Sequence, residues 1–224
     1  MSFTVMKSEF TSMLIEFDLL YQQVVPLRYA RLSSGIDRVI IESTLKSFGI
    51  LAIPEDFFAL YGWKNGFETM LEWWKDEYGE GYYEMIPLDD CYHWMNMANI
   101  EMTLEIWHEH IKNAKRTNQL CYWKHGFIPF LQMQSSGLMV IDTIGYWNGI
   151  PGQIAAFDYK CSGGYQVVHQ DLSKWLETQL ELLKNGIFFS PDTLLEMEES
   201  IAIIAEINDS YTSRFPISIP LDAI

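Results

Sequence analysis

Cysteine and basic residues are scarce in this sequence of 224 residues. Cys91, Cys121 and Cys161 are odd in number and form no CxxC pair, which fits free thiols in a reducing cytoplasm better than a disulfide framework. Thirty acidic residues against 15 basic ones give a net charge of −15. Because phosphates repel such a surface, we expect no nucleic-acid binding, and the charge favours either a basic protein partner or solubility alone.

Motifs for membranes, metals, nucleotides and nucleophiles are missing as well. No apolar run approaches 18 residues, and the first residues do not have the pattern of a signal peptide, so we expect no membrane association. His108 and His110 are two positions apart on a predicted helix and therefore point to different faces, unlike the ligands of an HExxH motif. Without a P-loop, GxGxxG or GxSxG, the sequence predicts no metal, no cofactor and no catalytic residue.

Apolar residues that recur at three- and four-residue steps predict helices on both sides of a central region. The helices are predicted to begin near residues 8, 34, 54, 67, 99, 171 and 190, with a linker over 26–34. Ser34 and Asp37 have the spacing of a variant capping box. The inward-facing residues are predicted to be Phe10, Met13, Leu14, Phe17, Leu20, Tyr21 and Val24 in the first helix and Ile36, Ile40, Ile41, Leu45 and Phe48 in the second. Further along the chain they are predicted to be Met102, Ile106 and Ile111 in the fifth helix, Leu172, Trp175, Leu176, Leu180 and Leu183 in the sixth, and Leu194, Leu195, Ile201 and Ile204 in the last.

After Trp123 the pattern changes to short β-rich runs over 126–133, 138–144, 153–159 and 165–169, and an earlier strand is predicted over 82–88. The connections are short and rich in Gly, Ser and Asn, which implies antiparallel hairpins. Helices, then a meander of strands, then helices again predict an α+β fold in which an antiparallel sheet packs with helices from both ends of the chain.

The most distinctive stretch spans residues 53–66, with the sequence IPEDFFALYGWKNG. Pro54 suits the first helical position, and Phe57, Phe58 and Tyr61 fall on one face of a short helix. Asn65 and Gly66 are predicted to be the left-handed residues that end the helix. We therefore assign Trp63 and Asn65 to structure and expect a positive φ at Gly66.

This stretch resembles the start of the SMI1/KNR4 (SUKH) family, in which a proline–acid–aromatic helix precedes an Asn-Gly turn. Ile86-Pro87-Leu88, Phe127-Ile128-Pro129-Phe130, Leu138 to Asp142, Gly152-Gln153-Ile154 and Asp171-Leu172-Ser173-Lys174-Trp175-Leu176 then follow in the family's order. The resemblance covers roughly residues 35–188 and implies an antiparallel sheet surrounded by helices. Residues 1–34 would add an N-terminal helix and linker, and residues 189–224 a C-terminal helix and tail packed on the domain.

By that resemblance the chain is expected to be a cytoplasmic immunity protein. Such proteins bind and occlude toxin domains, often nucleases, of bacterial polymorphic toxin systems. One alternative is a regulatory protein–protein interaction module, as in the eukaryotic relatives of the family. The other alternative is a hydrolase that uses Asp89 or another carboxylate.

Aromatic residues lie among acidic ones over residues 68–90, a pattern that suits contact with a basic toxin domain because acids steer and aromatics anchor. The predicted contact residues are Glu68, Glu72, Trp73, Asp76, Glu77, Glu80, Tyr83, Glu84, Asp89 and Asp90. A solvated helix face is the alternative interpretation of these charges. A second acidic run lies between Asp192 and Asp209, and the hairpins after Trp123 are the alternative contact surface.

Overall fold

The computed structural model describes residues 9–67, 92–118, 121, 123–133, 137–158, 164–186 and 194–219. The helices are α1 (Glu9–Val24), α2 (Pro26–Tyr29), α3 (Arg38–Ser47), α4 (Glu55–Trp63), α5 (Met97–Thr117), α6 (Leu172–Lys184) and α7 (Leu194–Thr212). The strands are β1 (Leu32–Ser34), β2 (Lys64–Phe67), β3 (Tyr92–Trp94), β4 (Phe127–Met133), β5 (Gly137–Asp142), β6 (Gln153–Asp158) and β7 (Gly164–His169). This arrangement confirms the predicted α+β class.

The main sheet is an antiparallel meander. Within the described residues its order is β3-β4-β5-β6-β7, so each strand pairs with the next one along the chain, as the short connections predicted. The central strand β5 is buried at every position, which explains its continuous apolar sequence. The strand predicted over 82–88 lies outside the described residues.

Helices α1 and α6 pack against each other, and α6 also packs on the sheet. The predicted stripes are confirmed: α1 buries Phe10, Leu14, Phe17 and Tyr21, and α6 buries Leu172, Trp175, Leu176, Leu180 and Leu183. The Trp175 ring meets the Phe130 ring of β4 edge-on at 5.5 Å between centroids. None of the described helices has the length and apolar character that crossing a membrane requires.

The segment predicted as a linker, residues 26–34, contains two short elements. Its residues form the short helix α2 and the strand β1, which pairs antiparallel with β2 in a separate sheet. Because Ser34 pairs with Lys64 in that sheet, it does not cap α3. Asp37 is the N-cap instead, and its carboxylate accepts a hydrogen bond of 3.0 Å from the Val39 N–H. The capping-box prediction therefore had the right helix and the wrong cap.

The predicted inward face of α5 is wrong at Met102 and Ile106, which are 49% and 50% exposed, whereas Ile100 and Leu104 are buried. Ile111 is partly buried against the core, as predicted. The helix begins at Met97, and the N-cap Asn96 accepts a hydrogen bond from the Asn99 N–H at 2.9 Å. The buried stripe of α5 includes the polar Thr103. The spacing of apolar residues alone could not identify this position as buried.

Smaller errors affect three other predicted positions. Ile40 and Ile201 are more than half exposed although both were predicted inward. Ile204 is partly buried against the core, as predicted. The side chains of Leu194 and Leu195 are not among those that the structure describes. Pro54 is the N-cap of α4 and not its first helical residue, although its φ of −60° suits either position.

The turn after α4 is confirmed at Gly66 and wrong at Asn65. Gly66 has a φ of +63°, whereas Asn65 lies in the extended strand β2. The Asn65 side chain accepts a hydrogen bond from the Met97 N–H at 2.9 Å, and the Tyr61 hydroxyl donates to the Met95 carbonyl at 2.8 Å. Both residues therefore hold α4 and β2 against the start of α5, the structural role predicted for Asn65.

The C-terminal segment shares the core of the sheet. Tyr211 of α7 and Ile219 of the tail are buried within the same hydrophobic cluster as Phe10 of α1. Ile219 and Tyr165 exchange two backbone hydrogen bonds of 2.7 and 3.1 Å, so the tail pairs with the edge strand β7. The division of the chain into three segments stays a prediction, but these segments are joined by one core.

Candidate partner-binding surface

The predicted contact residues between 68 and 90 lie outside the described residues, and so does Asp89, the candidate hydrolase carboxylate. The described residues that flank the stretch are close together. Phe67 ends β2, Tyr92 begins β3, and these two strands are in contact. The Asn96 amide donates a hydrogen bond of 2.8 Å to the Phe67 carbonyl. Both ends of the predicted contact stretch are therefore anchored beside the β3 edge of the sheet.

Histidine and cysteine side chains do not assemble a metal site within the described part of the chain, where no three metal-binding side chains cluster. His108 and His110 are exposed on α5. His108 packs against the Phe48 ring and His110 against the Trp107 ring, on different sides of the helix as the two-residue step predicted. Cys121 is a free, half-buried thiol, while Cys91 and Cys161 lie outside the described residues.

The loop 143–152, which joins β5 to β6, is organised around the buried carboxylate of Asp142. One carboxylate oxygen accepts hydrogen bonds from the N–H groups of Ile144 and Gly145 at 3.0 and 2.9 Å. The other accepts from the Tyr146 N–H at 2.6 Å and from the Gln153 side-chain amide at 2.8 Å. Four donors thus compensate for the burial of the charge and define the path of the first half of the loop.

The same loop contains backbone conformations that side chains seldom adopt. Trp147 and Asn148 have φ values of +59° and +63°, in the left-handed region, and Gly145 has a φ of +83°. Each non-glycine residue in this region costs on the order of 1–3 kcal/mol, and such residues concentrate at functional sites. The fold therefore maintains a strained loop between the central strand β5 and its neighbour β6.

Apolar side chains of the loop are divided between the core and the solvent. The Trp147 ring packs on Tyr165 at 5.1 Å between centroids, and the Tyr146 ring packs edge-on against Phe127 at 5.6 Å. Burial and the neighbouring Asp142 carboxylate raise the pKa of Tyr146. Ile144 and Ile150 are 50% and 37% exposed. The loop thus presents two aliphatic side chains on a base of packed aromatic rings.

Helix α7 is tied directly to this loop. The Tyr211 hydroxyl donates a hydrogen bond of 2.8 Å to the Gln153 side-chain oxygen and accepts one of 3.0 Å from the Ile150 N–H. Because Gln153 also donates to Asp142, a continuous buried chain of hydrogen bonds connects α7 with both halves of the loop.

The outer face of α7 is acidic. Glu199, Glu206 and Asp209 are exposed, and their spacing of seven and three residues places them on one side of the helix. The helix contains no Lys or Arg. The described part of the second acidic run, which ends at Asp209, is therefore a charged helix face.

Two cations border the loop. The Lys124 ammonium lies 5.7 Å from the centroid of the Tyr146 ring, and the Arg214 guanidinium lies 4.5 Å from that of Tyr211. Both positions are within the range of a cation–π contact, so the rings beneath attract these charges. The surface formed by loop 143–152 and the outer face of α7 is called the loop–α7 surface below. It is apolar at the loop, acidic along the helix, and has Lys124 and Arg214 at the border of the loop.

A buried histidine attaches α7 to the sheet. His169 of β7 is hydrogen-bonded through Nδ1 to the Asn208 side-chain oxygen at 3.2 Å, and Asn208 donates to Thr178 of α6 at 3.2 Å. Burial disfavours the imidazolium form and lowers the pKa of His169 to about 4, although the bond to Asn208 opposes the shift.

Acidification is therefore expected to destabilise the fold through His169. The unfolded histidine, with a pKa of about 6.5, binds a proton before the folded one, so this contribution to stability is complete above about pH 6.5 and is lost as the pH falls towards 4. The loss should reach about 3 kcal/mol. Urea unfolding at about pH 7 and about pH 4.5 measures it. His169→Gln should remove this part of the pH dependence, whereas the control His110→Gln should not. If stability depends on pH equally in the wild type and in His169→Gln, the assignment to His169 is wrong.

Sequence reasoning named the hairpins after Trp123 as an alternative surface but missed this site. Residues 148–152, Asn-Gly-Ile-Pro-Gly, have the composition of a simple turn. The available signal was an Asp at the end of a predicted strand with a glycine three residues later, since Asp often accepts hydrogen bonds from nearby backbone N–H groups. No protein-family model matches this chain, and no curated protein matches it either.

Proposed function

We propose that this protein is a cytoplasmic immunity protein that binds a basic toxin domain and occludes it. The observation that carries the proposal is the set of exposed acids on α7, a helix to which hydrogen bonds of Tyr211 attach a partly apolar loop. Protein interfaces of this kind combine apolar anchors, which hold a complex, with charges that select the partner and accelerate encounter. The resemblance to the SMI1/KNR4 family supports a toxin, often a nuclease, as that partner.

The mechanism is steric and electrostatic. A net charge of −15 attracts a basic domain, and for a nuclease it competes with the phosphates of the substrate for the same basic surface. Once the two proteins are in contact, the aliphatic residues of the loop would lose their exposed area to the partner. Bound in this way, the immunity protein would prevent the substrate from entering, without a chemical step and without a cofactor.

Two stretches are candidates for the acidic part of the interface. One is the outer face of α7, and the other is the predicted contact stretch over 68–90 that includes Glu72, Asp76 and Glu77. Helix α7 packs against β7 at one edge of the sheet through its inner face, while the described ends of the second stretch lie beside β3 at the other edge. Charge reversal at each stretch separately can therefore show which of them faces the toxin.

Replacement of Glu199, Glu206 and Asp209 by lysine is expected to slow association with the toxin domain by at least about tenfold at low salt. The salt dependence of the association rate should flatten, because steering by exposed charges is screened beyond about 10 Å at 0.1 M salt. The measurement is surface plasmon resonance with the toxin domain of an adjacent gene, together with growth of cells that co-express both proteins.

The matched control is the lysine triple variant of Glu101, Glu105 and Glu109, which makes the same change in net charge on the exposed side of α5. A third variant reverses Glu72, Asp76 and Glu77. If all three associate and protect as the wild type does, neither acidic stretch forms the contact. If the wild type binds no toxin domain but captures a regulatory protein of its own cell, the interaction-module alternative replaces the immunity function.

A further inference from the structure

The strained loop 143–152 is held from two sides. The Asp142 carboxylate accepts hydrogen bonds from the N–H groups of Ile144, Gly145 and Tyr146. These bonds define the first half of the loop. The Ile150 N–H in the second half donates to the Tyr211 hydroxyl, which belongs to α7 and lies 61 residues further along the chain. Because left-handed backbone at Trp147 and Asn148 is intrinsically unfavourable, the loop needs both attachments to keep this conformation.

The phenolic oxygen of Tyr211 has a role that its ring does not. The ring is almost fully buried and packs on Phe215, as a phenylalanine ring would. The hydroxyl adds two directional hydrogen bonds, and both end on the loop or its base, at Ile150 and Gln153. Removing only this oxygen therefore tests the attachment of the loop without opening a cavity in the core.

We infer that Tyr211 is a positioning residue that locks loop 143–152 to α7, so that the exposed Ile144 and Ile150 are presented in one preformed conformation on a molecule whose helix α7 has an acidic outer face. The partner that this surface fits is the basic protein domain of the proposed function, on which this part of the inference rests. Preformed loops bind more tightly than mobile ones because less conformational entropy is lost on binding. If the surface is formed in only a fraction of the molecules, the apparent affinity for the partner is the intrinsic affinity multiplied by that fraction.

The direct test is hydrogen exchange of the free protein with Tyr211→Phe, which needs no partner. The Ile150 amide should exchange about tenfold faster, which is the factor expected when one typical hydrogen bond is lost. Amides of Ile144 and Tyr146 should also accelerate, while those in the centre of β5 should stay at their wild-type rates. The matched control is Tyr61→Phe, which removes a buried hydroxyl bonded to Met95 and not to the loop.

Wild-type exchange in the loop of Tyr211→Phe would overturn the inference, and so would a uniform acceleration across the whole sheet, which indicates general destabilisation. With the toxin domain, Tyr211→Phe should bind about tenfold more weakly while the salt dependence of association stays at the wild-type slope, because the acids of α7 are intact. A lowered salt slope would also count against a positioning role. Failure of the wild type to bind any toxin domain would overturn the immunity function, and the exchange rates would still decide the role of Tyr211.

Discussion

Replacement of Gly66 by valine is expected to lower the free energy of unfolding by roughly 3 kcal/mol, the upper end of the range for strained backbone positions. The φ of Gly66 is +63°, which is a severe outlier for a β-branched residue. A Cβ there would also lie 2.6 Å from the carbonyl oxygen of Met95 and 2.8 Å from the backbone nitrogen of Asn96. Both atoms belong to backbone at the start of α5, which cannot move without displacing the helix.

The matched control for this prediction is Gly152→Val. Gly152 also has a positive φ, +99°, but a Cβ at that position meets no atom within 4 Å. The control should therefore show the cost of strain alone, on the order of 1–2 kcal/mol. Urea unfolding of both variants gives the comparison. Equal losses would show that the contact with Met95 is unimportant, and an unchanged Gly66→Val protein would refute the assigned turn.

Replacement of Asp142 by alanine is expected to cost about 3 kcal/mol of stability or more. The change removes four hydrogen bonds and leaves the N–H groups of Ile144, Gly145 and Tyr146 without their acceptor. Each buried donor that loses its partner costs about 1–3 kcal/mol, although water will satisfy part of the demand. The loop should become mobile, and a partner that contacts the loop–α7 surface should bind more weakly.

Asp37→Ala is the matched control for Asp142→Ala. Asp37 is exposed and accepts a single hydrogen bond, from Val39 at the start of α3, so its removal should cost about 1 kcal/mol. Chemical denaturation of the two variants compares the same chemical change at a helix cap and at a buried loop. If Asp142→Ala is no less stable than Asp37→Ala, the carboxylate does not organise the loop.

Local patterns were sufficient to predict much of the fold. The hairpins of β4 to β7 follow from short connections, and the buried stripe of α6 follows from the spacing of Leu172, Trp175 and Leu176. Gly66 was predicted at positive φ because a glycine after a helix commonly has that conformation. Each of these features depends on residues close together in the chain, which is why sequence reasoning could reach them.

Features that depend on distant residues could not be predicted in this way. The buried side of α5 was misassigned because its environment comes from other elements, which make room for Thr103 and leave Met102 in solvent. The strand β1 was missed because its pairing partner is β2, some 30 residues later. The predicted contact stretch over 68–90 stays a prediction, since it lies outside the described residues.

By itself the sequence determined the acidic charge, the α+β class and the order of helices and hairpins, because composition and periodicity are local properties. Only the tertiary structure decided where a surface of mixed character forms. Asp142, Gln153 and Tyr211 have no motif that relates them, and Tyr211 bonds to Gln153 across 58 residues of sequence. The fold packs α7 against β7 and thereby brings the Tyr211 hydroxyl to loop 143–152. The strained conformation of Trp147 and Asn148 is maintained because hydrogen bonds from Asp142 and from Tyr211, two distant segments, meet at this loop.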